Sequence, residues 1–320
     1  MNIRDNYIFA KGMNLLILAL LIALPIVLNQ YQQYLLNMVL IYIIIGLSYN
    51  LLLGYAGQFS FAHPAFLGIG AYSSCLLVLH FGIPFWLSLP ICGLITAMFG
   101  LMIGLPALRI SSFYLGMVTV AFNELIAWIF LHWDSATRGA MGLKVPKPFI
   151  GGFTFSTDKQ IYYIILPVTL FCVLSIRNIL RSKFGRAFVA IRDSEVAAST
   201  LSINLTKYKI LVFMLSAFYV GIAGGLYGIS VGILIPEVFG LSPVLIYFAI
   251  IIIGGLGSFT GTILSAIIIT LLPEFLRGFV ALQEILYGVL LVVFIIFFPK
   301  GIHGLLLKKN FIKPESFSRE

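Results

Sequence analysis

The sequence predicts an all-α polytopic membrane protein with about ten transmembrane helices (roughly 8–10) and both termini in the cytoplasm. Hydrophobic residues make up 61% of the 320 positions and charged residues only 10%, whereas soluble globular proteins carry about 25% charged residues. The mean hydropathy of +1.08 indicates the same class, because too few polar side chains remain to cover a water-facing surface. The net charge of +9 comes from basic residues that cluster between apolar runs. That pattern is typical of membrane proteins and argues against a nucleic-acid partner.

The apolar runs give the expected helices in chain order. A helix that crosses the hydrocarbon core of a bilayer needs about 20 apolar residues. Runs of this kind are Met13–Leu28, Leu35–Leu53, Phe61–Phe81, Ile83–Leu108, Phe113–Trp133, Ile161–Ile176 and Ile210–Ile235. A longer run, Val244–Leu272, is interrupted by glycines at Gly254–Ser258 and forms either one long helix or two short ones. A last run covers Phe279–Phe298.

The distribution of basic residues predicts the topology, because loops rich in Lys and Arg stay in the cytoplasm. Basic residues precede the first run, and they outnumber acidic ones in the segment 177–209 and in the tail 300–320. If all three regions are cytoplasmic, an even number of crossings separates each pair. The run Val244–Leu272 must then break into two helices at its glycines. Residues 1–320 thus form a single transmembrane domain, with an external loop at about 134–160.

Two glycine-rich segments depart from plain hydrophobicity. Gly54–Pro64 follows a predicted span directly and places glycines, a proline and hydrogen-bonding groups near membrane depth. Lipid cannot satisfy exposed backbone groups, so this segment either forms a tight interhelical turn or lines a wet pathway through the protein. Gly254–Phe259 is similar to Gly54–Phe59, which suggests an internal duplication. By location, the candidate pathway side chains here are Gln58, Ser60 and His63.

Glu124 lies near the middle of the run Phe113–Trp133. A carboxylate at that depth costs about 2.5–3.5 kcal/mol on insertion scales, so we expect it to face the interior of the bundle or a cavity, with a partner. The neighbouring Asn123 points about 100° away around the helix. Glu124 either makes a structural hydrogen bond to a neighbouring helix or contacts a ligand.

The segment 177–209 contains two short amphipathic helices. The first has an apolar face made of Phe184, Phe188 and Ile191. We expect Asp193 to cap a second helix, Ser194–Ser202, and Thr206 to cap the next span, each through a side-chain oxygen. The two helices either lie on the membrane surface or dock into a groove on a cytoplasmic partner.

The sequence offers little for catalysis or cofactor binding. Its cysteines and histidines are scattered without metal-ligand spacing, and it has no nucleophile–base pair, so we expect no catalytic residues, no metal and no cofactor. The GxxxxGK[ST] phosphate-binding loop is absent as well. Any ATP-driven action therefore needs another polypeptide.

Blocks of residues spread over roughly 35–305 resemble, in the expected order, one transporter family. The first block is Asn50–Ser60, which continues through His63, Ala65, Phe66, Gly68, Gly70, Ala71 and Tyr72. Later blocks are Leu108-Arg109 with Glu124, Ala190–Asp193 with Glu195 and Ala197-Ala198, Ser216–Phe218, Gly254–Ser258 and Leu272–Glu274. They resemble the membrane subunits of bacterial ABC importers for branched-chain amino acids. The loop with Thr137, Gly139, Ala140, Gly142 and Leu143 is similar to that of the LivM-like member of the permease pair.

The resemblance implies a permease subunit, not an enzyme, in the bacterial cytoplasmic (inner) membrane. Its implied partners are two ABC ATPase subunits that bind ATP and dock on the segment 177–209, a second, related permease, and an external amino-acid-binding protein. The implied cargo is leucine, isoleucine or valine. Importers of urea and short-chain amides share the signatures, and an ion-coupled carrier or a polytopic membrane enzyme is a more distant alternative.

The resemblance also implies roles for particular residues. The ATPase-coupling residues are Arg186, Ile191, Arg192, Asp193, Glu195, Ala197 and Ala198. The candidate substrate-pathway residues, chosen by location, are Asn50, Gln58, Ser60, His63 and Glu124.

Overall fold

The computed structural model describes residues 20–108, 110, 112–150 and 153–275, together with isolated positions between 288 and 304. Within these residues, 6 helices are long and apolar enough to cross a membrane, and two shorter apolar helices follow them. Each described strand is only two residues long. The predicted class, a helical polytopic membrane protein, is confirmed for this part of the chain.

The elements follow one another in a simple order. The helices are α1 (Gln30–Asn50, continued by a π-helical segment, Leu51–Tyr55), α2 (His63–Phe81), α3 (Phe85–Gly104), α4 (Ser112–His132), α5 (Asp158–Arg181), α6 (Lys183–Asp193), α7 (Glu195–Thr200), α8 (Leu205–Val231), α9 (Ser242–Gly254) and α10 (Phe259–Phe275). Short helical turns occupy Pro106–Leu108, Asp134–Thr137, Gly139–Met141 and Pro236–Phe239. The strands are β1 (Leu143–Lys144), β2 (Phe149–Ile150), β3 (Phe153–Thr154) and β4 (Ile233–Leu234), paired β1 with β4 and β2 with β3, both antiparallel.

The predicted break in the run Val244–Leu272 is confirmed. Helix α9 ends at Gly254, α10 begins at Phe259, and the turn between them contains Gly255 (φ 98°) and Gly257 (φ 75°). Positive φ values favour glycine because it has no Cβ. The two helices form an antiparallel hairpin, in which the hydroxyl of Ser265 donates to the carbonyl of Ile250.

Some predicted regions lie outside the described residues. Residues 20–27 are helical, but most of the predicted first span, Met13–Leu28, is not described. The predicted last span, Phe279–Phe298, and the tail 300–320 are described only at isolated positions. The count of about ten spans and the location of both termini therefore stay predictions.

Successive long helices run in alternating directions, so the connecting segments gather at two ends of the bundle. At one end, called the strand end, β1 pairs with β4. At the other, called the glycine end, Gly54 contacts Arg192 of α6. Helix α5 joins the two ends and, with 24 residues, has a length of about 36 Å. The loop at about 134–160 and the segment 177–209 thus lie at opposite ends, as the predicted topology requires.

Small residues let α8 pack backbone to backbone against α2 and α3. A Cβ on Gly70 would lie 2.5 Å from the Cα of Gly221, and one on Gly224 would lie 2.7 Å from the backbone nitrogen of Ala71. A Cβ on Gly221 would lie 3.1 Å from the carbonyl oxygen of Cys92 in α3. Lipid tails are as apolar as leucine, so helices in a membrane associate through such close packing and through hydrogen bonds. Helix α8 is therefore the central helix of the described bundle.

Polar side chains cap the helices of the segment 177–209. The capping residues are Ser182 for α6, Ser194 for α7 and Asn204 for α8. The predictions that Asp193 and Thr206 serve as caps were wrong. Asp193 is the last residue of α6, where its carboxylate is paired with Arg192, so the extended Ser194 caps the next helix instead.

Candidate functional site

The end of α1 presents a backbone carbonyl to other elements. After Asn50 the helix widens into its π-helical segment, and the N–H of Gln58 donates to the carbonyl of Leu52 at 3.0 Å. In a regular α-helix the N–H of Gln58 would donate to the carbonyl of Gly54, four residues earlier. The Gly54 carbonyl is thereby available to a donor from outside the helix. Such π-helical segments are frequent at functional sites.

Arg192, near the end of α6, supplies that donor. Its Nη1 donates to the carbonyl oxygen of Gly54 at 2.8 Å, while Nε and Nη2 donate to the carboxylate of Asp193 at 3.2 and 3.1 Å. A guanidinium group holds its donors in a fixed planar fork, so the contact with Asp193 orients the nitrogen that reaches Gly54. Arg192 therefore connects the segment 177–209 directly to α1.

The second glycine segment lies against the same arginine. A Cβ on Gly257 would stand 2.8 Å from Nη1 of Arg192, so a larger residue would displace the guanidinium group, and the φ of 75° also favours glycine. Asn50 joins the two segments: its Oδ1 accepts from the N–H of Gly257 at 3.0 Å, and its Nδ2 donates to the carbonyl of Ser258 at 2.9 Å. We call this arrangement the glycine junction; it consists of Asn50, Gly54, Arg192, Gly257 and Ser258.

The junction is tight enough to require glycine for steric reasons. A Cβ on Gly54 would lie 2.5 Å from the backbone nitrogen of Gly257. Gly57 has a φ of 67°, and its Cβ would lie 3.0 Å from Cγ of Arg192. The sequence predicted both segments and their similarity, but not that they meet. The similarity itself was the available signal, because two equivalent helix breaks at the same end of a bundle are close enough to pack together.

Three of the candidate pathway residues make local or structural contacts. Asn50 is fully buried in the glycine junction. The amide of Gln58 donates to the carbonyl of Ala56 at 3.3 Å, and the hydroxyl of Ser60 accepts from the N–H of Ala62 at 3.2 Å. These are the contacts of a tight interhelical turn, which is one of the two interpretations that the sequence left open.

His63 links three helices. Its Nε2 lies 2.9 Å from the hydroxyl of Ser216 in α8, and that hydroxyl donates to the carbonyl of Ser48 in α1 at 2.9 Å. A hydroxyl has one hydrogen to donate, so Nε2 of His63 must be the donor to Ser216. The ring also lies against Tyr49, with centroids 3.9 Å apart. Among the described residues, Nδ1 of His63 has no hydrogen-bond partner.

Glu124 does not face the interior of the chain, contrary to the expectation from the sequence. It is exposed on the surface of α4, and Asn123 takes the interior position. The amide of Asn123 accepts from the N–H of Ala65 at 2.8 Å and donates to the carbonyl of Phe239 at 3.4 Å. A neutral amide satisfies such backbone groups without burying a charge, which explains why the two neighbours are placed in this way.

The predicted coupling residues divide into buried and exposed groups, apart from Arg192, which is partly buried. Ile191 and Ala198 are buried and hold α6 and α7 against the bundle. The exposed members are Arg186, Asp193, Glu195 and Ala197. Glu195 also forms an ion pair with Lys209, with 2.6 Å between Oε1 and Nζ, and this contact holds α7 against the first turns of α8.

Two large exposed apolar side chains, which the sequence places on the predicted helix Ser194–Ser202, lie outside the set of predicted coupling residues. Val196 in α7 is 78% exposed, and Leu201, which directly follows α7, is 72% exposed. They stand beside polar residues at the glycine end of the bundle.

The described part of the chain offers no obvious place for chemistry. None of its groups of His, Cys, Asp and Glu can hold a metal ion. An open groove of about 460 Å³ lies where α5 meets α6; its lining includes Phe171, Asn178, Ser182 and Phe184, and none of the candidate pathway residues. The contacts of the glycine junction join the end of α1, the end of α6 and the turn between α9 and α10.

Comparison with known proteins shows which family the sequence matches. Residues 31–298 match a family described as the permease component of branched-chain amino acid transport systems. The high-affinity branched-chain amino acid transport permease protein LivM of Salmonella typhimurium is 31% identical over 310 residues, which are 89% of this chain and 73% of that protein. LivM of Escherichia coli matches to the same extent.

A second kind of relative matches nearly as much of the chain. The permease protein LivH of Salmonella typhimurium is 25% identical over 289 residues, which are 82% of this chain and 91% of that protein. No solved structure matches the chain. The relatives therefore consist of two related kinds of permease protein, each similar to this chain along most of its length.

Proposed function

Because this chain belongs to the family of permease components of branched-chain amino acid transport systems, we propose that it is the membrane-spanning subunit of an ABC importer for leucine, isoleucine and valine. The proposed assembly contains a second, related permease, two ATPase subunits that bind all the ATP, and an external amino-acid-binding protein. The related permease is supported by the two kinds of relative, LivM and LivH. The proposed location is the bacterial cytoplasmic (inner) membrane.

The observation that carries the proposal is the position of Arg192. This side chain belongs to the segment 177–209, yet it holds the end of α1 through Gly54 and lies against the turn between α9 and α10 at Gly257. A displacement of α6 therefore acts on two helix breaks at once. This is the arrangement needed if an ATPase on the glycine end is to move helices that cross the membrane.

We assign the glycine end to the cytoplasm. The segment 177–209 at this end is rich in basic residues, and loops of that kind stay inside. Gly301, at the start of the basic tail, lies at the same end, because a Cβ on it would stand 2.5 Å from the backbone nitrogen of Gly255. The strand end, with the loop at about 134–160, is then the external end that receives the binding protein.

We expect the ATPase to contact Val196 and Leu201. These two are the large apolar side chains that α7 and its end leave exposed, and contact with a partner would remove their apolar surface from water. Replacing both with aspartate should lower the amount of ATPase that co-purifies with the permease by about tenfold or more, since burying a carboxylate in an apolar contact costs well over 1.4 kcal/mol.

Met141→Asp is the matched control, because Met141 is 93% exposed and apolar but lies at the strand end. It should leave co-purification unchanged. Equal retention of the ATPase by the double aspartate variant and the control would contradict this docking site.

Reconstitution tests the proposed cargo. We expect vesicles that contain both permeases and the ATPases to accumulate labelled leucine only when ATP is inside with the ATPases and the binding protein is on the other side. Excess isoleucine or valine should suppress the uptake, and excess urea or acetamide should not. Suppression by urea or acetamide alone would favour the importer of small amides. Uptake that continues without ATP and disappears with the ion gradient would instead indicate an ion-coupled carrier.

A further inference from the structure

Helix α4 is the least covered of the long helices. Only 33% of its most apolar stretch is buried inside the chain, compared with 83% for α1 and its π-helical segment. Its exposed residues recur at helical spacing along one side, so they form a continuous stripe. We call this the Glu124 stripe; it consists of Met117, Ala121, Glu124 and Trp128.

Glu124 distinguishes this stripe from the other exposed surfaces in the membrane. It is about 18 Å along a helix of 21 residues, and it has no ion-pair partner among the described residues. The exposed side of α3 is apolar throughout its middle, with Leu94, Met98 and Met102 outermost. That surface suits lipid, whereas a mid-membrane carboxylate facing lipid is costly and calls for water or a protein partner.

The occupant of the stripe follows from the relatives. They are of two kinds, each similar to this chain over more than four fifths of its length. A permease that is similar to this chain over most of its length should have spans of similar length. A related permease therefore matches the length of α4 and can enclose Glu124 at mid-membrane.

On this basis we propose that the Glu124 stripe of α4 is the surface on which the related permease packs, and that Glu124 faces a water-filled space shared by the two chains. This inference rests on the proposed function, since it requires a second permease. The carboxylate gives that space a negative charge, which complements the ammonium group of an amino acid. Met117 lies about two turns before Glu124 on the same stripe and Trp128 about one turn after it. Both provide apolar surface for the side chain of that amino acid.

Photocrosslinking tests the contact in the assembled transporter. A benzophenone amino acid replaces Trp128 on α4 or, as the control, Met98 on α3, which is 66% exposed and also lies within its helix. We expect the position on α4 to crosslink to the related permease and the position on α3 to give no protein product. A product between two copies of this chain, or crosslinking from α3 alone, would overturn the inference.

Cysteine reactivity tests the water-filled space. A thiol reacts as the thiolate, which forms in water and not in hydrocarbon, so Glu124→Cys should react with a charged thiosulfonate at least roughly tenfold faster than Met98→Cys. The native cysteines are all buried and give little background. Equal, slow reaction of both variants would overturn the inference. Neither readout depends on uptake, so ATP-driven leucine uptake by the unmodified complex, measured in parallel, tests the proposed function separately.

Discussion

Replacing Arg192 with alanine should lower ATP-driven leucine uptake by roughly 10-fold to 100-fold while ATP hydrolysis continues. The substitution removes a charge-assisted hydrogen bond to the carbonyl of Gly54, and bonds of that kind contribute about 1.5–3 kcal/mol. Without it, α6 no longer holds the end of α1, so movement of the ATPase is not transmitted. The measurement is the ratio of leucine transported to ATP hydrolysed in reconstituted vesicles.

Two variants separate the glycine junction from a general effect of charge. Arg192→Lys keeps the charge but loses the planar fork, so we expect an intermediate ratio. Arg181→Ala removes an exposed basic residue from the end of α5, in the same segment, and should leave the ratio unchanged. An unaltered ratio in Arg192→Ala, or an equal loss in Arg181→Ala, would show that the contact with Gly54 does not transmit movement.

Gly224→Ala should strongly destabilise the fold. The added Cβ would stand 2.7 Å from the backbone nitrogen of Ala71 and closer still to the carbonyl oxygen of Leu67. Both neighbours are backbone atoms of α2, so the two helices must separate, and overpacking of this kind costs about 1–3 kcal/mol or more. The measurement is the midpoint of thermal unfolding in detergent, followed by the loss of monodisperse protein.

Gly228→Ala is a control in the same helix with an expected effect of opposite sign. The nearest atoms to its Cβ would be 3.7 Å away, which is ordinary van der Waals contact. Alanine is favoured over glycine in a helix interior by about 0.5–1 kcal/mol, so the variant should be slightly more stable than the unmodified protein. Similar unfolding midpoints for the two variants would contradict the described packing of α8 on α2.

Much of the fold was predictable because membrane proteins obey few and strong constraints. Apolar length predicted the long helices from α1 to α8, with ends that differ from the observed ones by up to about five residues. The excess of basic residues in the segment 177–209 and in the tail 300–320 places both in the cytoplasm, so an even number of spans must separate them. This requirement predicted that the run Val244–Leu272 breaks into two helices at its glycines. The hairpin of α9 and α10 is the physical form of that break.

The orientation of single side chains was less predictable. Asn123 and Glu124 are adjacent, and the cost of a carboxylate in the membrane led us to expect Glu124 to face inward. The choice depends on Ala65 and Phe239, whose backbone groups suit an amide and lie far away in sequence. Similarly, Asp193 and Ser194 are both good capping residues. The extent of α6 decides between them: the helix includes Asp193, whose carboxylate pairs with Arg192, and Ser194 follows it in the capping position.

The most direct test of the account is the side of the membrane on which α7 lies. Single cysteines are placed at Thr200, exposed at the glycine end, and at Met141, exposed at the strand end. In sealed right-side-out vesicles, an impermeant maleimide should label Met141→Cys at once and Thr200→Cys only after permeabilisation. Labelling of Thr200→Cys in the sealed vesicles would place the segment 177–209 outside the cell, where no ATPase could act on Arg192.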